Sequence, residues 1–372
     1  MDNPASPIPA PSARLSGLPG YGRGRAGQAQ RFRHRLGSNE APDGPGPEVL
    51  AAVTEAVADA NRYPDLRGET LAAVLAARHG VSPDAVAVGA GSIVILDQLI
   101  RAWCDPGDEV VSAWRSYEAY PIIAGLVGAR LVEVPLDEAA RLDPGAMLAA
   151  IGPRCRVVLI CDPNNPTGTG LPSATLDALL AAIPPDVLVI LDEAYADYAH
   201  DAGEVAASPA RRLGRHPNLA VLRTFSKAWG LAGMRIGYCL ADPRIIAALH
   251  AVQPPFPLPV PSVAAALAAL AAPGATEARV RASAAERDRL TRGLRAAGLA
   301  VADSAANFIW LRVGDLAADL TAHLAAQGIA VRSFAGEGVR ITTGDSADTD
   351  AVLAAVAVWN ARGRIGGGRK ED

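Results

Sequence analysis

"RVVLICDPNNPTG", residues 156–168, decides the fold. After Arg156 come five apolar residues, Val157 to Cys161, with no polar position between them. A strand with one wet face alternates polar and apolar residues. One that is apolar throughout is covered on both faces, the habit of a parallel strand sandwiched by helices. The change to Asp, Asn and Thr at residue 162 falls at the carboxyl end, where open parallel sheets bind ligands.

The same pattern recurs outward from this stretch. "AVAV" (85–88), "DEVVSA" (108–113), "ARLVEVPL" (129–136), "VLVILD" (187–192) and "LAVLR" (219–223) read as further short strands. Helical spacing fills the intervals: "PEVLAAVTEAVADA" (47–60), "ETLAAVLAARHG" (69–80, ending at a glycine), "SIVILDQLIRAW" (92–103, with Ser92 as the expected N-cap) and "YEAYPIIAGLVG" (117–128). Alternating strands and helices predict an α/β domain with crossover helices. After residue 250 the character changes. "VQPPFPLPVP" (252–261) interrupts regular structure, and Ala-rich helices (262–272, 276–297, 315–327, 348–362) mix with strands "NFIWLRV", "IAVRSF" and "GVRITTG". The expected organisation is an N-terminal arm (1–38) joining the small domain, a large α/β domain (39–250), a smaller α+β domain (251–363) and a disordered tail (364–372).

Composition narrows the function classes. The 372 residues are 50% hydrophobic and 20% charged, with 35 basic and 39 acidic side chains and a formal net charge of −4. No basic field exists to attract nucleic acid or anionic lipid. No apolar run reaches the roughly 18 residues that a spanning helix requires. The Pro/Ser/Ala-rich N-terminus lacks the apolar centre of a secretory signal. Cys104, Cys155, Cys161 and Cys239 form no CxxC pair, so reduced thiols in a cytoplasmic protein are expected.

Four strand ends carry polar groups: "GAGS" (89–92), "DPNNPTG" (162–168), "DEAY" (192–195) and "TFSK" (224–227). Ser92 and the N–H groups that follow begin a helix, and a helix N-terminus suits a phosphate. Ser226 adds a hydroxyl and Arg235 a charge-assisted bond. Asp192 follows an apolar strand, where a carboxylate requires a cation such as a protonated ring nitrogen. Lys227 offers an amine for a Schiff base with an aldehyde. Phosphate, ring nitrogen and aldehyde together describe pyridoxal phosphate. Each element has a bland alternative: a structural turn, a helix cap, a solvated lysine, or core packing for Tyr117 and Tyr120. "GAGS" also opens like a dinucleotide loop, but position 94 is Val where the third glycine belongs. The set in this order, each at a strand end, favours the cofactor.

Through "NNPTG", "LDEAY" and "TFSKAWGLAGMRIGY" the chain resembles fold-type I pyridoxal-phosphate-dependent aminotransferases of the class I/II group. "LGSNEAPDGPGP" (36–47), "RYPD" (62–65), "ANF" (306–308) and "VRITTG" (339–344) resemble the histidinol-phosphate aminotransferase branch. "AWRSYEAYP" (113–121) is similar to its actinobacterial aromatic amino acid, or phenylalanine, members. The resemblance runs from about Leu15 to Trp359. It implies a mostly parallel central sheet, with Lys227 holding the cofactor as a Schiff base and moving the proton at the substrate's Cα. It implies Asp192 on the pyridinium nitrogen, Asn165 and Tyr195 on the ring oxygen, and Tyr117 stacked on the ring. Gly91, Ser92, Ile93, Thr224, Ser226 and Arg235 are implied at the phosphate, with Tyr63 reaching it from the second subunit of a homodimer. Arg340 would clamp the substrate carboxylate with Asn307 beside it, Arg332 would meet a distal end, and Tyr21 would line the mouth. The implied reaction is ping-pong transfer from an aromatic L-amino acid to 2-oxoglutarate. Histidinol phosphate as donor is the alternative, and a lyase or decarboxylase reaction a weaker one. A DNA-binding regulator would need an added helix-turn-helix, for which the arm has no room. Two departures stand out: Trp229 where Tyr or Phe is usual, and Ile93 where an acid is common.

Overall fold

The computed structural model describes residues 12, 15, 17–20, 32–199 and 209–361. Twelve strands are assigned in chain order among them: β1 (His34–Arg35), β2 (Val86–Gly89), β3 (Glu109–Trp114), β4 (Arg130–Pro135), β5 (Cys155–Cys161), β6 (Leu188–Asp192), β7 (Leu219–Thr224), β8 (Gly237–Ala241), β9 (Phe308–Leu311), β10 (Ile329–Ala330), β11 (Arg332–Phe334) and β12 (Gly338–Thr342). Seven of them form one sheet in the order β2-β8-β7-β6-β5-β3-β4. The pairs β7–β6, β6–β5, β5–β3 and β3–β4 are parallel, while β8 is antiparallel to both its neighbours.

The uniformly apolar strands are buried on both faces, as the sequence predicts. Val158, Ile160, Val189, Leu191, Leu219 and Val221 face one core, shared with Leu71, Leu75, Leu176 and Leu179. Their strand neighbours Val157, Leu159, Leu188, Ile190, Ala220 and Leu222 face the other, with Ile95, Leu99, Ile123 and Leu249. Successive side chains of a strand point to opposite faces, so both faces need apolar cover. Helices supply it, including Glu69–His79 and Ser173–Ala182 on one side and Ser92–Trp103, Ala119–Leu126 and Pro243–Val252 on the other.

The second body contains an antiparallel sheet, β11-β12-β9, with helices Pro273–Ala296, Ala317–Ala326 and Ser346–Asn360 around it. Its core holds Leu290, Leu294, Leu320, Leu324, Val352 and Trp359, and also Leu36 from the N-terminal segment. That segment is fixed by parallel pairing of β1 with β10 and by His34 Nδ1, which lies 2.7 Å from Asp348 Oδ1.

The structure differs from the sequence reading in several places, including helices Ser173–Ala182 and Pro243–Val252, which the sequence reading does not single out. Helix Val260–Ala271 buries Ala265, Ala266 and Ala269 in the core of the seven-stranded sheet. Its packing therefore belongs with the large body, although it follows residue 250. β8 was not anticipated. Ser92 is the first helical residue rather than the cap; Gly91 takes the cap position at φ +86°, without a side-chain cap bond. No single helix among the described residues is long and apolar enough to cross a membrane.

Candidate active site

The carboxyl ends of β2, β5, β6 and β7 lie at one edge of the large sheet. Because β8 runs backwards, its first residue, Gly237, is in register with both Gly89 of β2 and Thr224 of β7. This brings Arg235, just before β8, to the same edge. A cavity of about 1060 Å³ opens there. Its opposite wall comes from helix Ala317–Ala326, β10, β11 and residues 37–40.

One end of the cavity is an anion seat. Ser92, Ile93, Thr224, Ser226 and Arg235 line it. The helix that starts at Ser92 has no side-chain cap, so its first N–H groups and its positive dipole end face the seat. Arg235 is held at φ +53° by Nη1 bonds to Ala232 O (3.0 Å) and Ser226 Oγ (3.4 Å). Two glycines make the close approach possible. A Cβ on Gly91 would lie 2.5 Å from Arg235 Nη2, and one on Gly237 would lie 2.2 Å from Ser92 N. Thr224 fixes the turn, donating to Ile236 O (3.2 Å) and accepting from Ser226 N (3.1 Å).

Asp192 and Lys227 hold the middle. Asp192 is buried and makes no ion pair among the described residues. It accepts from Tyr120 Oη (2.9 Å) and Ala194 N (3.3 Å). Burial pushes its carboxyl up to about 6, against the Tyr120 bond, which lowers it. A carboxylate so placed gains from a cationic partner inside the cavity. Lys227 is half-buried and donates to Ser38 O at 3.1 Å. Burial, then the charges of Arg340 and Arg235, lower its ammonium to about 7. Its amine is therefore available near neutrality, as a carbonyl-capturing lysine requires. Tyr195 borders both. Its ring centroid lies 5.8 Å from Lys227 Nζ, and its hydroxyl accepts from Asn39 Nδ2 at 2.9 Å.

Arg340 lines the cavity from β12, donating through Nη1 to Asn165 Oδ1 and through Nη2 to Gly37 O (2.7 Å). The Asn165 loop is braced from behind by Asn164, which accepts from Ser116 Oγ (2.7 Å) and donates to Thr167 Oγ1 (2.9 Å).

Of the residues singled out in the sequence, Ser92, Ile93, Tyr117, Asn165, Asp192, Tyr195, Thr224, Ser226, Lys227, Arg235, Arg332 and Arg340 line this one cavity. Gly91 stands behind it, shaping the seat. Asn307 is buried off the wall, donating to Asn39 O at 3.2 Å, so it positions the 37–40 segment rather than meeting the cavity. Tyr63 lies outside, 82% exposed, with its ring stacked 4.5 Å from that of Phe256. Tyr21 lies outside the described residues, as does the 364–372 tail. Trp229 packs in the core against Phe225. Sequence reasoning missed Tyr120, Asn39 and Glu118. Tyr120 and Glu118 sit inside the quoted "SYEAYP" and Asn39 inside "SNEAPDG", but their partners are distant in the chain.

An anion seat at a helix start, a buried carboxylate without a cation and a low-pKa lysine on an α/β sheet together fit pyridoxal 5'-phosphate. They define an enzyme of the fold-type I class that depends on that cofactor. The chain belongs to the family described as aminotransferase class I and II, whose profile matches residues 34–356. It is 46% identical over 329 residues to an aromatic amino acid aminotransferase of Rhodococcus jostii (strain RHA1), covering 88% of this chain and 90% of the relative. It is 44% identical to one from Streptomyces coelicolor, covering 92% and 95%. Among solved structures it is similar to a histidinol-phosphate aminotransferase from Sinorhizobium meliloti in complex with pyridoxal-5'-phosphate. There the TM-score is 0.88 at 33% identity, over 96% of this chain and 99% of that one.

Proposed function

We propose that this aminotransferase moves the amino group of an aromatic L-amino acid to 2-oxoglutarate in two half-reactions, as a homodimer. The observation that carries the donor class is the far wall of the cavity. Ala318, Ala322 and Ala325 recur along one helix face, beside Ile329, Val331 and Phe32. Small side chains there leave room for a ring, and their apolar surface favours one. The names of the Rhodococcus and Streptomyces relatives support the same reading.

Bound in this site, pyridoxal phosphate supplies an aldehyde for the incoming amine and an electron-withdrawing ring beside the substrate's Cα. The chain's residues do the rest. The helix start, Ser226 and Arg235 anchor the phosphate. Asp192 would keep the ring nitrogen protonated, and Asn165 and Tyr195 would hydrogen-bond the ring oxygen. Tyr117, in the cavity wall, would pack along the ring face. Arg340 binds the substrate carboxylate and so sets which bond at Cα faces Lys227. The Lys227 amine removes and returns the proton there. Tyr63, exposed on each subunit, reaches the phosphate of the second copy.

A second reading, histidinol phosphate as donor, is favoured by Arg332 in the cavity wall and by the likeness to the Sinorhizobium enzyme. Visible absorbance of the cofactor-loaded protein discriminates the two. Phenylalanine, tyrosine or tryptophan should change the spectrum faster than histidinol phosphate does. Spectra that respond only to histidinol phosphate would reverse the assignment, and spectra that respond to no amino donor would remove it.

A further inference from the structure

Among the described residues, the charged side chains lining the cavity are Arg35, Lys227, Arg235, Arg332 and Arg340 on one side of the balance and Glu40, Glu118 and Asp192 on the other. Lys227, Arg235, Arg340 and Asp192 have roles at the cofactor and the substrate carboxylate. The two remaining arginines are each matched by a glutamate. Arg35 and Glu40 meet at 3.3 Å, both well exposed. Arg332 and Glu118 are more enclosed: Arg332 Nε (3.1 Å) and Nη2 (2.7 Å) converge on Glu118 Oε2.

Arg332 is not an ordinary wall residue. It lies directly opposite Arg340 in the antiparallel pairing of β11 with β12. Residues paired in this way present their side chains on the same face of the sheet, about 5 Å apart at Cβ. Two guanidinium groups so placed would make a strong seat for a dianion next to the position of the substrate carboxylate. Glu118 cancels one of them. It comes from the other body, at the start of helix Ala119–Leu126 and directly after Tyr117. The neighbouring bond between Arg115 Nε and Glu337 (3.0 Å) holds this segment against the turn after β11. The backbone that carries Glu118 is thus tied to the body that carries Arg332, which keeps the two side chains within reach of each other.

We propose that Glu118 sets the charge selectivity of the substrate site, by occupying Arg332 and disfavouring substrates that carry a second anionic group. This deepens the aromatic-donor reading and rests on it. A neutral ring passes the pair without disturbing it. A phosphate or a second carboxylate must displace Glu118 or endure its repulsion. The acceptor 2-oxoglutarate meets the same barrier, so its binding is weakened as well. A repulsive element of this kind separates related ligands without an added contact to the preferred one.

The test uses the cofactor-loaded protein as wild type, Glu118→Gln and Glu118→Gln/Arg332→Ala. Calorimetry compares two amine-free probes, 3-phenylpropionate and 3-phosphonopropionate, and kcat/KM compares phenylalanine with histidinol phosphate. Glu118→Gln keeps the shape and removes the charge. It should shift both ratios toward the anionic ligand by about tenfold or more, and lower the KM for 2-oxoglutarate. Adding Arg332→Ala should cancel the shift. Ratios within about twofold of wild type would overturn the proposal, because removing a paired charge from a half-buried arginine has a larger effect than that. A shift that survives Arg332→Ala would overturn it too, since the anion would then be read elsewhere. Failure of the aromatic-donor reading is recognised separately, as wild-type protein that does not transaminate phenylalanine, while the probe ratio is still measurable.

Discussion

Tyr120 donates its hydroxyl to Asp192 Oδ2 at 2.9 Å, joining the first turn of helix Ala119–Leu126 to the end of β6. Burial and the hydrogen bond act on Asp192 in opposite directions: burial raises its carboxyl to about 6, and the Tyr120 bond lowers it. Tyr120→Phe removes the lowering influence and leaves the burial. The charged carboxylate, which in the proposed mechanism would keep the ring nitrogen protonated, is then less favoured near neutrality. We expect kcat at pH 7 to fall about fivefold to tenfold, the effect of about 1 kcal/mol. The acid limb of the kcat/KM profile should move to higher pH. An unchanged profile would reduce Tyr120 to packing.

Asp192 carries a stability cost that a bound cationic ring nitrogen would relieve. Its folded value, about 6, lies above the ordinary 3.8, so between those values the folded protein binds more protons than the unfolded chain. Stability of cofactor-free protein therefore falls as pH rises from about 4 to about 6, and the full cost persists above that. Asp192→Asn removes the titration. Without cofactor, the variant should be more stable than wild type at pH 7–8, by up to about 3 kcal/mol, and the difference should vanish below about pH 4. With cofactor the order should reverse. Denaturant melts at several pH values measure this. Equal stability of both proteins across the range would contradict the account.

Lys227 titrates in the opposite sense. Burial and the nearby Arg340 and Arg235 charges lower it to about 7, from 10.5. The neutral amine that attacks an aldehyde thus becomes abundant as pH rises through about 7. Covalent capture of pyridoxal phosphate by cofactor-free protein should accelerate with a midpoint near pH 7. A free lysine would keep gaining rate past pH 10. Lys227→Ala should abolish both covalent capture and turnover. A midpoint above pH 9 would mean that Lys227 is as well hydrated as a surface lysine.

These two groups also show what is legible in a sequence. Lys227 and Asp192 stand at strand ends, and the strands announce themselves because both faces are buried. Val157 to Cys161 and Leu188 to Leu191 have no polar position to suggest anything but a doubly covered sheet. Tyr120 and Glu118 lie within a few residues of Tyr117, yet an aromatic and an acid near a helix start carry no sign of partners 72 and 214 residues away. β8 hid for a different reason. "GYCLA" is only five residues long and follows the lysine segment with only the single 3-10 turn Ala232–Met234 between, so its antiparallel direction comes from a connection without the crossover α-helix that the α/β pattern leads one to expect. The helix Val260–Ala271 follows a proline-rich break, and only its contacts reveal which core it joins.

Arg340 should govern carboxylate binding. It lines the cavity and is held by Asn165 Oδ1 and Gly37 O, so its guanidinium is pre-oriented. Arg340→Lys keeps the charge but loses the planar fork that two carboxylate oxygens require. A loss of about 2 kcal/mol or more in kcat/KM is expected for phenylalanine and glutamate alike. The effect should lie in KM as well as kcat, because the same contact binds and orients. Donors without a carboxylate should be affected less. Equal losses for both kinds of donor would assign Arg340 a structural role.

The anion seat depends on a residue with no side chain. Gly237 is the first residue of β8 and pairs with both Gly89 and Thr224, so the helix beginning at Ser92 passes directly over it. A Cβ there would stand 2.2 Å from Ser92 N and 2.6 Å from Gly91 C, both backbone atoms that no rotamer change can move. Gly237→Ala must therefore push the helix start away from β8 and Arg235 away from Gly91, widening the seat from both sides. Gly274→Ala, whose Cβ meets nothing within 4 Å and which does not line the cavity, serves as the control. Cofactor affinity should fall at least about tenfold in Gly237→Ala, because the N–H donors at the helix start lose their aim at the phosphate. Pyridoxal without the phosphate should lose much less. That contrast separates a damaged seat from a damaged fold, and equal losses for the two aldehydes would place the harm in folding instead.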